Sequence, residues 1–230
     1  GPPPPTVAPP TMGSSSSQPQ PQPRGQQPPA QLAKPSTSVS MTQTLRWARQ
    51  QHGPRLATID VKSGREWTWE QVGARVERIA GGLVTGAAKL QPGDRVALLA
   101  LNSDAYFEAM YAIMHAGGVV VPVNFRLAPD EILHVLSDSS VVALALDEAM
   151  AQASWPGLTK LGLPKSLRAV YHLGPKFTSV PALASNASTD ELAAKSQPIP
   201  DAGRGGDDVA CIFYTGGTTG KSKGVMLTHL

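Results

Sequence analysis

Residues 92–124 read PGDRVALLALNSDAYFEAMYAIMHAGGVVVPVN, and this stretch decides the fold class. Arg95–Leu101 is an apolar run of strand length with no polar alternation. Asn102-Ser103 supplies a helix start, and Phe107, Met110, Tyr111 and Met114 then share one helical face. Gly117-Gly118 stops that helix, and Val119–Val123 is again β-branched and apolar throughout. Strands of this kind are buried on both faces, so strand–helix–strand predicts a parallel sheet covered by helices. The pattern continues downstream. Pro129 suits the first turn of a second helix, Ile132, Val135 and Leu136 face inward, and Val141–Leu146 makes a third strand. The expected class is α/β: a doubly wound sheet in which 95–101, 119–123 and 141–146 are neighbouring parallel strands.

Upstream, Leu45–Gln51 is a short amphipathic segment stopped by His52-Gly53-Pro54. Leu56–Val61 and Glu66–Thr68 read as strands around the turn Lys62-Ser63-Gly64. Thr68 and Gln71 form a capping box, from which Val72, Val76, Ile79, Ala80 and Leu83 repeat at helical spacing. Residues 147–208 are the least informative, with a candidate strand at Leu167–His172 and loops with one short helix over 181–206. Val209–Tyr214 is an apolar strand.

Composition changes sharply at the N-terminus. Residues 1–40 hold 12 of the 22 prolines, with runs of Ser and Gln and almost no large apolar side chains. Such a stretch buries too little apolar surface to offset its ordering entropy, and the reading is a disordered tail (1–40) before a folded portion (41–230), with Met41 a candidate natural start. The pI of about 9.1 is not a nucleic-acid signature. Arg24 and Lys34 lie in the tail, which has no acid, leaving 18 basic against 17 acidic residues elsewhere, without any basic block. Cys211 is the single cysteine, which excludes a disulfide framework or a cysteine-based metal cluster. No apolar run approaches the roughly 20 residues that span a bilayer, and the N-terminus has no secretory pattern. The expected setting is cytoplasmic.

The chemistry concentrates in YTGGTTGKSKGV, residues 214–225. Glycines let backbone N–H groups converge, threonine hydroxyls add donors and lysines add positive charge, the set that polyphosphate oxygens require. The Walker pattern G-x-x-x-x-G-K-[ST] needs glycine at position 215, where Thr215 stands, so it misses by one residue in spacing. A plain Gly/Thr turn between two strands is the bland alternative, and ten specified positions after a buried strand argue against it.

The segment resembles the signature of the adenylate-forming superfamily, usually Y-T-S-G-T-T-G-x-P-K-G-V, in the acyl-CoA synthetase (fatty-acid–CoA ligase) branch. Tyr214, Thr215, Gly217, Thr218, Thr219, Gly220, Lys223, Gly224 and Val225 fall in register; Gly216 replaces Ser and Ser222 replaces Pro. The resemblance extends upstream through GREWTWEQV, residues 92–124 and PDEILHVLSDS, covering about Thr44 to Leu230. It implies an N-terminal portion of an AMP-binding domain, with an incomplete doubly wound sheet. It implies an enzyme that activates a carboxylic acid as acyl-adenylate with ATP and Mg²⁺ and transfers it to CoA. Thr215, Gly216, Gly217, Thr218, Thr219, Gly220 and Lys223 would hold the ATP phosphates, with Lys223 balancing charge on the departing pyrophosphate. His229 falls where the family often has a histidine near the acyl pocket; helix capping is the rival role. The magnesium, ribose and adenine contacts and the mobile C-terminal domain belong to later segments of the family, so no metal ligand is assigned and the 230-residue chain is expected to be inactive alone. A non-catalytic nucleotide-binding or interaction module of the same fold is the alternative. His115 and His134 read as surface or packing residues, Cys211 as a small core residue, and Asn102 and Asn124 as turn or cap residues.

Overall fold

The computed structural model describes residues 1–2, 39–183, 186–216 and 221–230. The expected disordered tail lies almost wholly outside them. The chain divides into two units between Ala30 and Gln31, and every described helix and strand lies in the second.

α1 (Met41–His52) precedes the antiparallel pair β1 (Leu56–Asp60) and β2 (Arg65–Thr68). Gly64, at φ +70°, closes the turn between them, a conformation glycine adopts without a Cβ penalty. The Thr68–Gln71 capping box is present and opens α2 (Trp69–Thr85), whose Val72, Val76, Ile79, Ala80 and Leu83 are all buried. Then come β3 (Arg95–Leu99), α3 (Asp104–His115), β4 (Val119–Pro122), α4 (Pro129–Asp138), β5 (Ala143–Leu146), α5 (Glu148–Leu161) and β6 (Ala169–His172). A short α6 (Thr189–Lys195), β7 (Val209–Thr215) and β8 (Lys223–Thr228) complete the order.

Six strands form one sheet in the order β6-β5-β3-β4-β7-β8. β3 is flanked in parallel by β4 and β5, as the unbroken apolar strands require. β6 and β7 add in parallel at either side, and β8 alone runs antiparallel, against β7. The chain leaves β3 for β4 in one direction and then crosses back to β5. Right-handed crossovers therefore place α3 on one face and α4 and α5 on the other. Side chains of β3 alternate accordingly: Val96 and Leu98 join the core under α2 and α3, Ala97 and Leu99 the core under α4 and α5.

Packing corrects one local expectation in part and supplies one element the sequence left unassigned. The core face of α3 is Ala105, Ala109 and Ala112 with Ile113 and, as expected, Met114, while Phe107, Met110 and Tyr111 are only partly buried. Second, α5 runs through Pro156 in a stretch read as uninformative. Asp147 caps it by accepting from the Met150 N–H at 2.8 Å. Pro156 and Gln152 are both exposed, so the carbonyl that proline cannot serve faces water. Gly157 packs on Pro129 of α4, where a Cβ would come within 2.6 Å of the proline ring.

Charged side chains tie the first face together. Arg65 bonds both Asp104 oxygens, at 2.8 and 2.9 Å, and Asp190. Arg75 bonds Glu108 at 2.7 and 2.9 Å and also Asp190, and its guanidinium stacks over Trp67. β2, α2, α3 and α6 are thereby joined in one network. Glu108 is fully buried, and burial raises its carboxyl above the usual range against the opposing pull of Arg75.

Candidate functional site

The five parallel strands end along one edge of the sheet, where α/β folds place their ligand-binding loops. β7 reaches that edge at Thr215 and β8 returns from it at Lys223; those two residues form the last pair of the hairpin ladder. Both are exposed. Of the residues expected to hold phosphate, Thr215, Gly216 and Lys223 are thus described at the stems, and Lys221 is described just before β8 and exposed. Gly217, Thr218, Thr219 and Gly220 lie outside the described residues.

The stems have specific partners. The Tyr214 hydroxyl donates to Asp138 Oδ2 at 2.6 Å, and burial together with that bond pushes its phenol well above its ordinary pKa. Its ring meets His134 edge-on, with centroids 6.2 Å apart. His134 Nε2 donates to the Ser222 carbonyl at 2.9 Å, across 88 residues of sequence. Gly224 lies opposite Tyr214 in the ladder. A Cβ there would come within 2.8 Å of Ile212 Cγ2 and 3.1 Å of the tyrosine ring. The glycine lets Ile212 and Tyr214 cross the β8 backbone and pack into the core shared with α4.

The model for AMP-binding enzymes matches residues 45–230. This chain belongs to the AMP-binding enzyme family. A feruloyl-CoA synthase of Amycolatopsis sp. is 38% identical over 173 residues, which are 75% of this chain and 30% of that protein. A long-chain-fatty-acid–CoA ligase of Mycobacterium tuberculosis is 34% identical over 185 residues, 76% of this chain and 32% of that protein. The chain therefore spans about a third of the length of such curated relatives. Among solved structures, the inhibitor-bound N-terminal domain of FACL13 from M. tuberculosis matches with a TM-score of 0.70 at 29% identity, over 83% of this chain and 44% of that one.

This member of the AMP-binding enzyme family does not bring His229 to the loop. His229 follows Thr228, whose partner Val209 starts β7, so it sits at the far end of the hairpin from Thr215 and Lys223. There it is buried, and its Nδ1 accepts from the Met41 N–H at 3.2 Å, at the first residue of α1. Burial lowers its pKa. A neutral ring with the proton on Nε2 fits that acceptor role. His115 is likewise buried, hydrogen-bonded to the Ile199 carbonyl at 2.8 Å. Cys211 is half-buried on the face of α2 and α3, with burial raising its thiol pKa. Asn124 accepts from the Arg126 N–H at 3.0 Å, a turn role, and Ser103 caps α3 by accepting from Tyr106.

A cavity of about 140 Å³ lies under α1, lined by Thr42, Leu45, Arg49, Val76, Tyr111 and His115 among others. None of its lining belongs to the loop stems, and Arg49 is already paired with Glu70 and Glu77. Among the described residues no His, Cys, Asp and Glu gather into a metal site, and no helix is long and apolar enough to cross a membrane. What the stems rest on is visible only in the fold. His134 and Asp138 lie within PDEILHVLSDS, where the resemblance assigns neither a role, and they stand four apart beside the buried Ile132 and Val135.

Proposed function

We propose that this chain supplies the ATP-phosphate loop of an acyl- or aryl-CoA synthetase, an enzyme that activates a carboxylic acid as acyl-adenylate and passes it to CoA. The carrying observation is the hairpin. A strand of the parallel sheet ends at Thr215, and the return strand sets Lys223 opposite it; Lys223 falls on the lysine of the family pattern. Lys223 is the charge that balances the departing pyrophosphate, and Thr215, Gly216, Gly217, Thr218, Thr219 and Gly220 supply hydroxyl and backbone donors. ATP arrives with Mg²⁺, whose ligands the described residues do not name. For His229 we infer the capping role, supported by its bond to the Met41 N–H. A cytoplasmic setting, with fatty or aromatic acids as the substrate class, fits the single cysteine and the named relatives.

Carboxylate-dependent exchange of pyrophosphate into ATP tests this reading in an enzyme that carries the chain together with the family's later segments. Exchange that needs both ATP and a fatty or aromatic acid is the expected result. Its absence over a panel of such acids would favour a non-catalytic module. The 230-residue chain alone is expected to show none.

A further inference from the structure

We propose that His134 and Asp138 are positioning residues for the phosphate loop: one turn apart on α4, they hold its outgoing stem through Ser222 and its incoming stem through Tyr214. The phosphate role rests on the function proposed above; the clamp itself rests on geometry.

α4 is a fixed reference. Ile132, Val135 and Leu136 are fully buried against the sheet, Glu131 accepts from the Ala128 N–H at its start, and Pro129 seats on Gly157 of α5. Positions four apart on a helix share one face, and here that face carries two polar groups to the two stems at the loop end of one hairpin. His134 Nε2–H reaches the Ser222 carbonyl at 2.9 Å. The Tyr214 hydroxyl reaches Asp138 Oδ2 at 2.6 Å, and the tyrosine ring lies edge-on to the imidazole between them. Ser222 is the residue before Lys223, and Tyr214 the residue before Thr215. Each anchor therefore acts one residue from the closing pair of the ladder, Thr215 and Lys223: Tyr214 just inside it, Ser222 just beyond it on the loop side. The bond at 222 has a further reason to exist. Proline is usual there in the family, and it would fix the backbone by its ring; with Ser222 in its place, the bond from His134 to the carbonyl supplies an external restraint. Neither side chain touches substrate. They set the separation and direction of the strands that bear Thr215 and Lys223.

Amide hydrogen exchange on this chain tests the clamp. His134→Leu removes the donor, His134→Gln keeps an N–H at similar reach, and Tyr214→Phe removes a single oxygen. The amides of Thr215 and Lys223 should exchange roughly five- to tenfold faster in His134→Leu and in Tyr214→Phe, the scale of one net hydrogen bond. His134→Gln should stay near the wild type, and Leu144 and Val170, on β5 and β6, should be unchanged in all three. Unchanged rates at 215 and 223, or an equal rise at β5 and β6, would overturn the clamp. Tyr214→Phe keeps the ring, so it serves should His134→Leu fail to fold. In the enzyme that carries this chain, His134→Leu should raise the KM for ATP about tenfold while leaving the KM for the carboxylic acid unchanged, and His134→Gln should restore it. Equal effects on both substrates would overturn the phosphate role. A wild-type enzyme without ATP-dependent exchange would overturn the functional reading and that role together, while the amide rates still judge the clamp.

Discussion

Gly224 shows how one residue couples a motif to a core. It stands opposite Tyr214, and the space a Cβ would need is filled by Ile212 and the tyrosine ring. Both neighbours are side chains packed toward α4, so a larger residue pushes them off the core rather than clashing with backbone. Gly224→Val should destabilise the chain by about 1–3 kcal/mol, the usual cost of overpacking. The same variant should loosen the Tyr214–Asp138 bond, which a fall of the tyrosine pKa toward its ordinary value in ultraviolet titration would report. Unaltered stability and titration would mean that the hairpin tolerates the side chain. His229 teaches the complementary lesson. The resemblance suggested a place near the acyl pocket, with helix capping the rival; six residues of antiparallel β8 carry it to the end of the hairpin away from Thr215 and Lys223, where it meets the start of α1.

At the level of elements, the central strands were legible because each lacked polar alternation, and a strand buried on both faces has few other ways to exist. The helix starts at Thr68, Ser103 and Pro129 were legible from local capping chemistry. α5 was not. Pro156-Gly157 reads as a break, and only the tertiary facts that Pro156 faces water and Gly157 meets Pro129 allow the helix through. β7 was read as a buried strand, yet it is partly exposed, and its partner β8 is exposed along its whole length. Phe213, Val225, Met226 and Leu227 place large apolar groups on this edge hairpin. Edge strands with such side chains pair with one another in solution. The isolated chain should therefore associate at micromolar concentrations, and Met226→Lys should reduce that association without loss of helical content. Light scattering beside circular dichroism decides it; equal association in both proteins would put the contact elsewhere.

At the scale of the molecule, two cores on opposite faces of one sheet leave the loop stems resting on the α4–α5 side. The α2–α3 side is fastened by charge, because Arg65 and Arg75 share Asp190 and each holds a buried acid, Asp104 and Glu108. No sequence pattern announces that network, since its members lie far apart along the chain and meet only once the helices pack. Removing one partner leaves the other charge buried. Arg75→Met should cost about 3–5 kcal/mol at neutral pH. Burial raises Glu108 above its unfolded value of 4.5, and without Arg75 it rises further. Above 4.5 the folded variant holds a proton that the unfolded chain has lost, so the stability this one group contributes is fully present below about 4.5 and is lost as pH rises through its folded value. The deficit against wild type, measured by denaturant unfolding, should be smaller at pH 5 than at pH 8. A deficit independent of pH would assign the loss to packing alone.

The central claim is that the 214–225 hairpin acts on ATP phosphates through Lys223. It is tested most directly by separating the two half-reactions in the enzyme that carries this chain. Lys223→Ala should slow acyl-adenylate formation by about 10²–10³-fold, the usual penalty for losing one preorganised group on developing charge. Transfer from preformed acyl-adenylate to CoA should be much less affected, because pyrophosphate has already departed. Lys221→Ala should matter less in the first step, since Lys221 lies outside the ladder whereas Lys223 closes it opposite Thr215. A first step damaged more by Lys221→Ala than by Lys223→Ala would contradict the claim.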